Sequence, residues 1–504
     1  MQILDNNIGN LINFSNGDFL IIGIYFLFLI IIGIKSSSSK SAKIESKKFT
    51  NNNHNSSDTI SNEENYILAG RSLTLPLFVA TLVSTWYGSI LGVGEFVYDS
   101  GIVAWVSLGL PYYIAAFLYA IFISQKVRKL NVTSIPEQIE NKFGRVPSLI
   151  ASIFVLLLTL PGSYMLMLGF LLQLILGLNF YISLLIGALI SVLFIYKGGF
   201  KSDVYLNVFQ FVLMFVGFIL LFIFASNKFG NPITLYNSLP QTHQDLSGGL
   251  NFQIIVVWFV IAFQTFIDPS FHQRCSAAKE SKIARNGILV SILFWIFFDF
   301  LTLSCGLYAF KLVNLSEMGV SSVNSYPLLA EMVMPSVFKG LFFVSLLATV
   351  MSTLESYSFL SAITLGKDIL QKINPKILQF KSNEKNTDTE KIIKFSFIIT
   401  IVLSVILAVF VPSVINLMYN IASLSFPGLF LPILLTYSKI KLSENQAILL
   451  IILPVTASSI IMLLKYYQNP YFENIEAMIV GLSVSIILFL IIQINKKSKN
   501  EIRI

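Results

Sequence analysis

Long apolar stretches alternate with short polar ones along almost the whole chain. Apolar runs long enough to cross a bilayer fall at 18–34, 72–98, 101–124, 146–176, 179–196, 203–226, 252–273, 286–311, 337–365, 392–411, 413–437, 447–465 and 474–494. The pattern predicts an all-α polytopic membrane protein of about thirteen transmembrane helices. The connections between the runs differ in charge. With the N-terminus outside, only Lys228, Lys311, Lys339 and Lys465 of the 34 Lys and Arg lie outside, and the other 30 lie inside. Cytoplasmic loops carry that excess. Asp5 and Asp18 precede any Lys or Arg, the first of which is residue 35. The run 18–34 is therefore read as a retained extra first helix, not a signal peptide.

Composition narrows the function classes. Of 504 residues, 55% are hydrophobic and 12% charged, against about 25% charged in a soluble domain. The net charge of +8 sits in the inside loops, so it is no nucleic-acid signal. Cys275 and Cys305 lie at or inside different apolar runs and imply no disulfide framework. His54, His243 and His272 have no zinc or haem spacing. There is no phosphate-binding loop for an ATP-driven pump. No nucleophile–base set points to an enzyme.

Two polar segments stand apart. Residues 35–65, with SSSSKS and NNNHNSS, have no apolar period and read as a disordered cytoplasmic loop. Residues 131–145 carry a hydroxyl cap, then a Pro and Glu137, and read as a short cytoplasmic helix. The connection 312–336 reads as holding a short surface helix, and 495–504 as a cytoplasmic tail.

Several runs are interrupted. The second has Gly88, Gly92 and Gly94 around Trp86–Tyr87, and the seventh has Asp268–Pro269. The fourth has Pro161–Gly162, and the eleventh has Phe426–Pro427–Gly428. Lipid cannot satisfy the backbone groups that such residues free, so breaks belong where the chain lines a cavity or holds a ligand. The second and seventh runs stand five apart, as first members of two five-helix halves would. Asp203, Asp268, Asp299 and Glu355 lie in or at the ends of apolar runs, and Glu95 and Asp99 at an outer end. Intramembrane acids usually face a bundle interior or an aqueous path, whereas capping explains end positions such as Asp203 equally well.

In the ninth run, Ser352 and Thr353 are adjacent hydroxyls, with Thr349 three residues earlier on the same side. Two hydroxyls and a carbonyl are hard oxygen ligands suited to an alkali cation. The alternative is that both hydroxyls bond back to carbonyls one turn earlier.

Taken together, these stretches resemble the sodium/solute symporter family, which includes sodium–glucose and sodium–proline cotransporters. The resemblance covers about residues 66–440. Tyr66–Ile67–Leu68–Ala69–Gly70–Arg71–Ser72–Leu73 resembles the family's entry to its first core helix. Thr133, Glu137 and Phe143–Gly144 match its cytoplasmic segment. Gly198–Gly199 with Asn207–Val208–Phe209–Gln210 resembles its fifth core helix. Asp268, Gln273–Arg274 and Ala277–Ala278–Lys279 resemble the sixth. Ala348 to Thr353, closing on Lys367–Asp368, resembles the eighth.

The resemblance implies a leucine-transporter-like fold. Its ten core helices form two inverted five-helix repeats, with one helix before them and two more over 441–494. It also implies a sodium site made by the carbonyls of Ser84, Tyr87 and Thr349 and the hydroxyls of Ser352 and Thr353. Leu206–Asn207 departs from the family's usual Thr–Asp, and Asp203, one turn earlier on the same face, can replace the lost charge. Proline-type relatives have an acid where this chain has Trp86, and sugar-type relatives an aromatic gate at Gln264. Neither specificity is therefore implied.

The expected function is sodium-coupled import of a small organic solute across the plasma membrane, the inner membrane in a bacterium. Trp86, Gly88, Ser89, Tyr164, Gln264 and Asp268 are the candidate solute contacts. Asp203, Asn207 and Glu355 are the candidates for the ion path. The alternatives are a proton-coupled symporter, through Asp268 or Glu355, and a transporter-like sensor. The expected partners are the solute, sodium and the bilayer, with the chain a monomer or weak homo-oligomer and no nucleic acid bound.

Overall fold

In lipid a spanning segment must satisfy its own backbone hydrogen bonds, so each apolar run closes into helix. The computed structural model describes residues 11–36, 62–195, 199–374, 388–411, 414–468, 470–472 and 474–501. Among these, ten helices are long and apolar enough to cross a membrane. Three shorter apolar helices, Asn16–Ile32, Leu75–Ser84 and Phe180–Ser191, fall where the other predicted runs lie. One isolated bridge, Leu73 to Ala278, is the sole β contact among the described residues. The loop expected over 35–65 lies, except for its ends, outside the described residues. The expected tail is partly helical, because the last helix runs Ala477–Glu501.

The elements that build the interior are α1 (Asn16–Ser36), α2 (Leu75–Ser84), α3 (Ile90–Ser100) and α4 (Gly199–Phe229). They continue with α5 (Phe252–Ala262), α6 (Pro269–Ala277), α7 (Ser281–Leu312) and α8 (Phe338–Ile363). The second predicted run is broken between α2 and α3, and the seventh between α5 and α6. Pro161 likewise separates Arg145–Thr159 from Gly162–Leu176. The fourth expected break is absent: Val414–Thr436 stays helical through Pro427 and Pro432. Neighbours pack closely around it. A Cβ added at Gly428 would lie 2.5 Å from Val455 and 2.7 Å from the Ile451 carbonyl oxygen, and one at Gly481 2.8 Å from Pro427, so close neighbours flank the segment. The amphipathic helix expected over 131–145 is Ile135–Phe143, capped by Ser134 Oγ on the Glu137 amide at 3.2 Å. The connection 312–336 holds short helices at Leu315–Met318 and Ser325–Val333.

The extra first helix is docked by an acid. Asp18 Oδ1 accepts the amides of Val337 and Gly340, both at 2.8 Å, and so caps the start of α8 from another helix. α4 and α8 run antiparallel in close contact. Phe218 meets Phe342, Gly217 meets Ser345, Gln210 meets Glu355, and Asp203 meets Ser356. Small residues permit such an approach in a membrane. A Cβ on Gly217 would lie 2.1 Å from Ser345 Oγ, whereas one on Gly23 would meet nothing within 4 Å. Gly217→Ala is therefore expected to cost about 1–3 kcal/mol, the scale of overpacking. Gly23→Ala is expected to leave stability unchanged or slightly raised. Thermal unfolding in detergent checks both, and equal midpoints would contradict the packing argument.

Candidate functional site

The break after α2 leaves two carbonyls without helical donors, and hydroxyls from α8 meet them. Ser352 Oγ lies 2.7 Å from the Ser84 carbonyl and 2.9 Å from the Thr349 carbonyl. Thr353 Oγ1 donates to the Thr85 carbonyl at 2.9 Å. The Thr349 hydroxyl turns away to the Ser345 carbonyl at 2.7 Å, so only its carbonyl faces the cluster. Ser352 thus bonds back to its own helix and also reaches across to α2. The Tyr87 carbonyl accepts the Ile90 amide at 3.0 Å, and Thr85 supplies the oxygen facing Thr353. Gly88 is required by close approach: a Cβ there would sit 2.4 Å from Thr353 Cβ. Ser84, Thr349, Ser352 and Thr353 are all fully buried. This gives a compact set of neutral hard oxygens without a carboxylate, which suits a monovalent better than a divalent cation. No group of three or more His, Cys, Asp or Glu able to hold a metal occurs among the described residues.

A polar chain runs from this cluster to α6. Arg274 is fully buried. Its Nη2 donates to Thr85 Oγ1 at 2.6 Å and to Ser356 Oγ at 3.1 Å, and lies 3.7 Å from Asp203 Oδ2. Ser356 donates to Asp203 Oδ1 at 2.7 Å and accepts from Asn207 Nδ2 at 3.2 Å. Asn207 Oδ1 in turn accepts from Ser84 Oγ at 3.2 Å. The guanidinium therefore bonds Thr85, whose carbonyl meets Thr353, and reaches Ser84, whose carbonyl meets Ser352, through Ser356 and Asn207. Glu355 lies beside this chain and accepts from Gln210 Nε2 at 3.3 Å. The sequence shows Arg274 only as an inside charge in the stretch resembling the sixth core helix, with no site role, and does not single out Ser356. The signal for Ser356 was present: Ser345, Thr349, Ser352 and Ser356 form one hydroxyl stripe at helical spacing.

Beyond the break lies a cavity of about 250 Å³, near the small end of the roughly 300–1,000 Å³ range of ligand sites. Trp86, Ser89, Tyr164, Gln264 and Asp268 line it, whereas Gly88 does not. Trp86 stands edge-on to Tyr112 at 5.2 Å, and Tyr164 to Tyr357 at 5.4 Å. Asp268 caps α6, accepting the Ser270 amide at 2.7 Å, with Pro269 at the first helical position. Its other oxygen accepts the Tyr357 hydroxyl at 2.7 Å. Asp299 of α7 also faces the cavity and accepts from Tyr87 at 2.8 Å and from Tyr113. The sequence read Tyr87 for its carbonyl only. The structure sends its side chain to Asp299.

A profile of the sodium:solute symporter family matches residues 66–453. The chain belongs to that family. The sodium/pantothenate symporter of Haemophilus influenzae is 28% identical over 245 residues, 47% of this chain and 48% of that protein. High-affinity choline transporter 1 of Drosophila melanogaster is 24% identical over 203 residues, 38% of this chain and 30% of that protein. The matches thus span about half or less of those relatives. Among solved structures, the substrate-bound outward-open state of a Na+-coupled sialic acid symporter superposes with a TM-score of 0.74 at 16% identity. It covers 94% of this chain and 97% of that one. This likeness is one of fold. It is the leucine-transporter-like architecture that the family resemblance implies.

Proposed function

We propose that the chain is a sodium-coupled symporter that imports a small organic solute by alternating access. The observation that carries this is the meeting of the Ser352 hydroxyl with the Ser84 and Thr349 carbonyls, and of the Thr353 hydroxyl with the Thr85 carbonyl, at the α2/α3 break. A sodium ion taken up there draws on the same lone pairs, and the hydroxyl protons turn away to admit it. The ion then ties the break to α8. Thr85 joins this cluster to the solute cavity, since its carbonyl meets Thr353 and it also lines the cavity. Sodium that binds one arrangement of the break more tightly favours that arrangement, and with it one state of the cavity.

The cavity lies toward the ends of α3 and of Val414–Thr436 that charge distribution makes external. The opposite side is laced shut. Lys367 pairs with Glu63 at 2.9 Å and Glu137 at 3.2 Å, and Ser134 donates to Asp368 at 2.9 Å. This supports an outward-facing state, with the N-terminus outside and the C-terminus in the cytoplasm of a plasma membrane. In intact cells, a cysteine placed at position 384 should then resist impermeant thiol reagents; ready labelling would overturn that orientation. Named relatives handle anions, pantothenate and sialic acid, and a cation, choline. Family membership therefore leaves the solute's charge open.

Uptake of a panel of labelled solutes into proteoliposomes tests the proposal. An inward sodium gradient should drive accumulation above equilibrium, and an equal potassium gradient should not. Accumulation driven by a proton gradient alone would overturn sodium coupling and point to Glu355.

A further inference from the structure

We infer that the solute is an organic cation, an ammonium-type group on a small body, with Asp268 as its counter-charge and aromatic side chains as its walls. The inference rests on the cavity being the solute site and adds the chemical class that the site selects.

Charge is the first argument. Two carboxylates, Asp268 and Asp299, line the cavity, and its described lining contains no Lys, Arg or His. Neither carboxylate has an ion-pair partner among the described residues. The donors they do have are neutral: the Ser270 amide and Tyr357 hydroxyl for Asp268, and the Tyr87 and Tyr113 hydroxyls for Asp299. Arg274, on the helix that Asp268 caps, lies within electrostatic reach of Asp268 but makes no ion pair with it; its contacts go to Asp203, Thr85 and Ser356. Acids at membrane depth are costly and normally pair with an opposite charge or face water. A cationic solute supplies the missing charge; a neutral one does not, and an anion adds repulsion.

The walls are the second argument. Trp86, Tyr112, Tyr164, Tyr357, Trp105 and Trp258 all line the cavity. Aromatic faces are electron-rich, and such cages hold ammonium groups. The third argument concerns anions directly. A helix start is where a solute carboxylate would be received, and Asp268 itself occupies the start of α6. Its own charge already offsets the dipole there.

The test uses purified full-length chain in detergent with two shape-matched probe sets. One is choline, its neutral isostere 3,3-dimethyl-1-butanol and the anion 3,3-dimethylbutyrate. The other is benzylamine, benzyl alcohol and benzoate. The expected result is that an ammonium probe raises the unfolding midpoint while its neutral and anionic partners do not. Its apparent affinity should fall tenfold or more with Asp268→Asn and return with Asp268→Glu. Trp86→Phe should keep most of it and Trp86→Ala should weaken it. No response to either ammonium, a response to neutral or anionic probes instead, or unchanged ammonium binding in a folded Asp268→Asn protein would overturn the inference. Failure here is distinguishable from failure of the symport reading. Ammonium binding without sodium-driven uptake would sink symport alone, and sodium-driven uptake of an anion would sink this inference alone.

Discussion

A protein carrying Arg274→Met is expected to lose about 3–5 kcal/mol of stability, the cost of stranding one member of a buried ion pair. Arg274 and Asp203 are both fully buried. The pair is not a tight fork, because Nη2 to Oδ2 is 3.7 Å whereas a charge-assisted bond is about 2.7–2.9 Å. The guanidinium's shorter bonds go to Thr85 and Ser356, and Ser356 passes the contact on to Asp203. Without the guanidinium, Asp203 keeps only neutral donors and one oxygen with no hydrogen-bond partner. Removing both charges should hurt less than the single changes imply. Asp203→Asn/Arg274→Met should recover at least half of the loss. Thermal unfolding of the four proteins in detergent reads the coupling. If Arg274→Met loses under about 1 kcal/mol, or the double variant sums the singles, the pair is not what holds this region.

Much of this architecture is legible in the sequence because lipid imposes a simple rule. Each spanning run must be helical, so run length is enough to mark out the helices. The breaks at Gly88 and at Asp268–Pro269 were visible because glycine and proline have few other uses there. The same reasoning overshot at Pro427, where the helix continues and Val455, Ile451 and Gly481 lie close by. Local pattern cannot see a neighbour pressing from elsewhere in the chain. Arg274 was missed for a related reason. At the end of an apolar run it looks like a loop charge, and only the fold brings Asp203, 71 residues earlier, to its side. Asp18 was read as a missing positive charge, whereas it caps α8 across more than 300 residues.

Ser352→Ala and Thr353→Ala are each expected to weaken sodium binding by about 1–3 kcal/mol, the scale of one lost polar partner at a buried group. That is about five-fold to over a hundred-fold in affinity. The two hydroxyls stand at hydrogen-bonding distance from the carbonyls of Ser84, Thr349 and Thr85, so each loss removes one oxygen of a small set. Thr353→Ser keeps the hydroxyl and should be mild. Thr349→Ala should also be mild, because its side chain bonds to Ser345 and only its carbonyl faces the cluster. The most direct measurement is equilibrium binding of radioactive sodium to the purified wild type and these four variants. The account predicts that the Ser352→Ala and Thr353→Ala proteins bind at least about five-fold more weakly while Thr353→Ser and Thr349→Ala stay near wild type. Equal sodium affinity in all five proteins would contradict it and leave the hydroxyls as structural bonds between α2 and α8.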